Sequence, residues 1–124
     1  MKNPALAVIP LVIASPCLAD FQSSLSRLDP QTRLEQVCDL EVMARIRRTG
    51  RYTPDRAKSF VISEPQMLGH TLVAKGAAFR SGGKWYELFF ICKASSDHLK
   101  VLSIDYRIGE LIPESKWGGY GLWK

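Results

Sequence analysis

Residues 71–109, TLVAKGAAFRSGGKWYELFFICKASSDHLKVLSIDYRIG, constrain the fold more than any other part of the chain. Runs rich in Val, Ile, Phe, Tyr and Trp lie near 71–81, 84–94 and 99–108, and the turn-forming groups SGGK and SSDH separate them. This pattern predicts three antiparallel strands joined by tight hairpins. In the middle strand Tyr86, Leu88, Phe90 and Cys92 share one face, and Trp85, Glu87, Phe89, Ile91 and Lys93 share the other. In the last strand Leu102, Ile104, Tyr106 and Ile108 alternate with Val101, Ser103, Asp105 and Arg107. The first-named sets are the expected core face.

A helix is expected to cover that face. In LDPQTRLEQVCDLEVMARIRRTG, Asp29 is a natural N-cap, Pro30 suits the first turn, Arg45, Arg47 and Arg48 occupy the last turn, and Gly50 follows as a stop. Leu34, Cys38, Val42 and Ile46 drift around one side while Val37, Leu40 and Ala44 occupy another, which predicts contacts on more than one side. Thr53 and Pro54 predict a short helix in YTPDRAKSF, and SFVIS reads as a brief strand closed by Pro65. The tail, IPESKWGGYGLWK, is too rich in glycine for regular structure and too aromatic to be loose, so it is expected to fold over an open end of the core.

The N-terminus bears on the compartment. One basic residue, Lys2, precedes an apolar run from Ala5 to Ala14. That is the layout of a secretory signal peptide over 1–19, with cleavage after Ala19, which places the small residues Cys17 and Ala19 three before and directly before the cut. The run is too short to span a bilayer, which takes ~20 apolar residues. Cys17 would be removed with it, because Pro16 occupies the place where a lipoprotein needs a small residue. Cys38 and Cys92 then remain, an even pair that reads as a disulfide in an oxidising compartment, with two separate buried thiols as the alternative. A loop of about 55 residues closed in this way would destabilise the unfolded state by roughly 4 kcal/mol. Residues 20–28 read as a flexible leader and 29–124 as a single α+β domain, one principal helix on a mostly antiparallel sheet of three to five strands. Without Lys2, 16 basic residues face 12 acidic ones, a net charge of +4, which permits an anionic partner without requiring one.

LDPQTRLEQVCDLEVMARI, AAFRSGGKWYELFFICKASSDHLKVLSIDYRIG and IPESKW…LW together resemble a family of small exported bacterial proteins known as domain of unknown function number 930. The resemblance runs from about Leu25 to Trp123. It implies a Gram-negative, periplasmic setting and brings no catalytic residues.

No residue pattern forms an evident active site. His70 and His98 fall in predicted turns, are expected to be solvent-exposed, and have no metal-ligand spacing around them. No metal or cofactor is expected. Glu35 and Asp39 lie one helical turn apart, too few ligands for Ca²⁺, and Glu41 and Arg45 have the favourable order for a helix ion pair; a structural role is expected for all four. A small secreted hydrolase of ribonuclease or phosphodiesterase type would draw on Glu87, Arg107 and His98. A structural envelope protein without a discrete ligand is a third possibility. The favoured expectation is a non-enzymatic binding or envelope accessory module. Its candidate surfaces are the basic group Arg45, Arg47, Arg48, Arg51, Arg56 and Lys58, and the aromatic group Trp117, Tyr120 and Trp123. The expected partner is an anionic envelope component or an acidic protein face, rather than nucleic acid.

Overall fold

Gly82 and Gly83 take φ values of 58° and 74°, the left-handed pair that a two-residue hairpin turn requires. They join β3 (Thr71–Ser81) to β4 (Lys84–Ala94). The structure, a computed structural model, describes residues 16–124, with side chains from Asp20 onward. The expected signal segment 1–15 lies outside the described residues. Pro16–Ala19 form the start of α1 (Pro16–Ser26).

β5 (Val101–Leu111) pairs with β4, while β1 (Pro54–Lys58) and β2 (Gln66–Leu68) both pair with the other edge of β3. All pairings are antiparallel, so the α+β class and the five-stranded sheet agree with the expectation. α2 (Pro30–Arg48) crosses the face formed by Phe79, Leu88, Phe90, Cys92 and Ile104. Its N-cap is Asp29, which accepts the Thr32 N–H, and Gly50 follows it with φ 76°. Leu34, Val37, Cys38, Val42 and Ile46 are buried and Ala44 is half-buried, so the second side is covered at Val37 and Ala44, whereas Leu40 is 38% exposed.

Four bulges interrupt the sheet, one of them in β1 at Asp55 between Pro54 and Arg56. At Gly76 the register of β3 against β4 slips, and the Gly76 carbonyl accepts the N–H groups of Val61 and Ile62 at 3.0 and 2.8 Å. A Cβ at Gly76 would lie 2.3 Å from the Ser63 nitrogen, so only glycine lets this loop approach. SFVIS is therefore a loop seated on the bulge, and the strand expected there is absent. Another bulge, in β5 opposite Lys93 and Ala94, turns Leu102 outward to 61% exposure and lets Val101 pack on the core instead. The fourth lies opposite Glu87, between Ile108 and Leu111.

Two further expectations are corrected. Pro54–Lys58 is a strand, because Ser81 Oγ accepts the Thr53 N–H at 2.8 Å and the Pro54 carbonyl accepts Arg47 Nη2 at 2.6 Å. Those tertiary contacts and the open edge of β3 override the local helix signal. The tail forms α3 (Glu114–Tyr120), closed by Gly121 at φ 67°. It folds back, but over the sheet face opposite α2 and not over an open end of the core, because Trp85 and Ala78 there give Ile112, Trp117 and Leu122 a second apolar surface to cover.

Residues 20–28, read as a flexible leader, are helical through Ser26, and Leu25 is buried. Arg33 holds them: Nε donates to the Leu25 carbonyl, Nη2 to those of Ser26 and Leu28, and Nη1 to that of Asp97. One guanidinium thus satisfies carbonyls at the end of α1 and ties them to the β4–β5 turn. His98, expected in solvent, is 4% exposed with φ 59°. Its Nδ1 donates to the Pro30 carbonyl at 2.7 Å, so in the neutral ring Nε2 accepts from His70 Nδ1 at 3.0 Å. His70 itself is exposed.

The Cys38–Cys92 bridge links the middle of α2 to β4, with Cα atoms 6.0 Å apart and both residues fully buried. Replacing both cysteines by alanine is expected to lower unfolding free energy by about 4 kcal/mol in denaturant titrations, and a loss below about 1 kcal/mol would contradict this assignment. Gly76→Ala is expected to cost roughly 1–3 kcal/mol through the clash with the Ser63 backbone, measured in the same way; wild-type stability would rule out the close approach.

Candidate functional site

The hairpin turn also fixes which residues meet on the outer face. With Ser81 opposite Lys84, Arg80 pairs with Trp85, and Arg56 of β1 pairs with Arg80. Alternation puts these side chains opposite the α2 face, with Lys58 and Ala78 beside them. Trp85 is fully buried there because the tail covers it. Ile112 N–H donates to the Trp85 carbonyl at 2.8 Å, Trp117 Nε1 to the Ile112 carbonyl at 3.0 Å, and Trp85 Nε1 to the Trp123 carbonyl at 2.7 Å. Each buried indole N–H thus has a partner.

This lattice presents the Trp123 ring, which remains 45% exposed. Lys58 Nζ lies 5.3 Å and Arg80 Cζ 5.7 Å from its centroid, and the Trp85 ring meets it edge-on at 5.5 Å. Both cations are within cation–π range. Arg80 is positioned by a bidentate pair with Asp55, Nε to Oδ1 at 2.9 Å and Nη2 to Oδ2 at 2.8 Å. Hydrogen bonding from Arg80 holds the Asp55 carboxyl below its ordinary range, and the same bond raises the guanidinium. The Lys58 ammonium has no carboxylate partner among the described residues.

The sheet divides the basic group expected from the sequence. Arg45 pairs with Glu41 at 2.9 Å, as its spacing predicts, and Arg47 serves β1 through the Pro54 carbonyl. Arg48 is exposed at the helix end, and Arg51 lines a shallow hollow with Tyr52, Tyr106 and Ile108. Arg56 and Lys58 stand on the tail face. The aromatic group is divided too. Trp117 is 8% exposed and belongs to the outer core, Tyr120 packs against it half-buried, and only Trp123 offers a ring to solvent. Arg80 was not among the expected residues. Its cross-strand position opposite Trp85 follows once the turn is centred on Gly82–Gly83, and that register is the signal that identifies it.

The hydrolase constellation is not assembled. Glu87 and Arg107 line one outer-face hollow with Lys75 and Ile62, whereas His98 is locked against Pro30 at the start of α2. Arg107 instead lies over the Phe89 ring at 5.4 Å. Asp39 is buried rather than solvated: Oδ1 has no hydrogen-bond partner, and burial, then the neighbouring Glu35, push its carboxyl well above the ordinary range. Among the described residues no three His, Cys, Asp or Glu side chains gather as a metal site.

Comparison with curated proteins and with solved structures returns no match. Residues 25–122, spanning α2, the sheet and α3, match the family described as Domain of Unknown Function (DUF930), and the chain belongs to that family.

Proposed function

We propose that the protein is a non-enzymatic binding module of the bacterial periplasm, whose contact surface is the Trp123 ring with Lys58, Arg80 and Arg56 around it, and whose partner is an acidic glycan of the envelope. One observation carries this reading: the tail holds an indole in solvent between two cations, when the same tail buries Trp117. An exposed indole costs the fold apolar burial and offers a sugar ring a stacking face. Lys58 and Arg56 supply charge for carboxylate or phosphate at its margin.

Export is supported by the signal-like N-terminus and by the Cys38–Cys92 bridge, since disulfides persist in oxidising compartments. Among the described residues no helix is long and apolar enough to cross a membrane. The separation of His98 from Glu87 and Arg107 favours binding over hydrolysis.

Titrating the oxidised protein with oligogalacturonate should quench tryptophan fluorescence saturably and in a salt-sensitive manner, while a neutral oligosaccharide should not. Trp123→Ala should weaken that binding about tenfold or more, the equivalent of about 1.4 kcal/mol. Equal binding of neutral and acidic sugars, or an unchanged affinity in Trp123→Ala, would overturn the reading.

A further inference from the structure

On the other side of β1, the loop Ser59–Phe60 and the flank of α2 enclose a small open cavity of ≈ 180 Å³, lined by Glu35, Gln36, Asp39, Ala57, Lys58, Ser59 and Phe60. Two carboxylates one helical turn apart line it, and Asp39, 6% exposed, has an Oδ1 without a hydrogen-bond partner. A buried carboxylate oxygen without a donor is costly unless a partner arrives or the group stays protonated. From this geometry we propose a binding site for a primary alkylammonium group, with Asp39 Oδ1 and Glu35 receiving the cation and Phe60 and Ala57 receiving its alkyl chain.

The chemistry of the cavity selects this class. Asp39 Oδ1 is the one buried side-chain oxygen or nitrogen among the described residues without a hydrogen-bond partner. A guanidinium fork needs two free acceptors, whereas an ammonium directs three donors independently, to Asp39, Glu35 and the Gln36 amide oxygen. Ca²⁺ takes six to eight oxygens and Mg²⁺ keeps a water shell that an apolar wall does not replace. The Phe60 ring, 55% exposed, stands at the mouth, where its face is available to a cation or its chain.

The chain's own cations leave the cavity unfilled. Lys58, which lines it, places its ammonium 5.3 Å from the Trp123 centroid on the tail face. Gln31 reaches Glu35 at 3.4 Å, and neither carboxylate has a salt-bridge partner among the described residues. Glu35 and Lys58 are the charged groups lining the cavity around Asp39 on its two walls, α2 and β1. Because burial and Glu35 favour the protonated carboxyl, binding a cation must displace a proton. Affinity therefore rises with pH until Asp39 is ionised in the free protein, then levels off.

The test uses the oxidised, ¹⁵N-labelled protein and n-butylammonium chloride, with n-butanol as the neutral control and MgCl₂ and KCl as inorganic ones. The amine should shift the Ser59 and Phe60 amides saturably, with an affinity that rises with pH, and Asp39→Asn and Glu35→Gln should each weaken it about tenfold or more. Asp39→Asn keeps the shape of the side chain, and its unperturbed spectrum elsewhere shows that the fold persists. The proposal is overturned by absence of a saturable shift, by an unchanged affinity in Asp39→Asn, or by equal shifts from butanol, Mg²⁺ or K⁺.

Discussion

A single two-glycine turn decides how both faces of this sheet are built. With Gly82 and Gly83 both left-handed, β3 and β4 can register in one way, with Phe79 opposite Tyr86 and Arg80 opposite Trp85. The first pair stacks and meets the Tyr52 ring edge-on beside the core under α2, and the second faces the tail. A one-residue slip would bring Trp85 opposite Phe79 on the same face and leave one of the two on the wrong side. Both layers therefore depend on the same pairing.

At the opposite end of the molecule the layers are fastened by polar contacts. Arg33 gathers the carbonyls of Leu25, Ser26, Leu28 and Asp97, while His98 joins Pro30 to His70. The disulfide pins the middle of α2 to β4 between these fasteners and the aromatic end. The helix is thus tied at its start, its centre and, through Arg47 and Pro54, its finish. This leaves the tail face as the side with an aromatic ring and cations in solvent.

The meander, the long helix and the disulfide were legible in the sequence because each rests on local chemistry: alternation, capping residues and an even cysteine pair. Leu102 was misplaced because a bulge is a property of two strands, and one strand's alternation cannot reveal it. Pro54–Lys58 and α3 were misread for the same reason, since pairing with β3 and packing on Trp85 override weak local preferences. His98 has the spelling of a turn residue, and only the distant Pro30 carbonyl draws it inside. Three of the four residues of the proposed contact surface were legible: Arg56, Lys58 and Trp123 were expected, but in two unrelated groups. Arg80, which lies close to the Trp123 ring, had to wait for the hairpin register.

The proposed contact lies on the tail face, away from the arginines at the end of α2. Hydrogen exchange of the oxidised protein, with and without a saturating acidic oligosaccharide, maps this directly. Binding there is expected to add protection over β1 and residues 112–124, with none over residues 43–51. Protection concentrated at 43–51, or spread evenly over the chain, would contradict it.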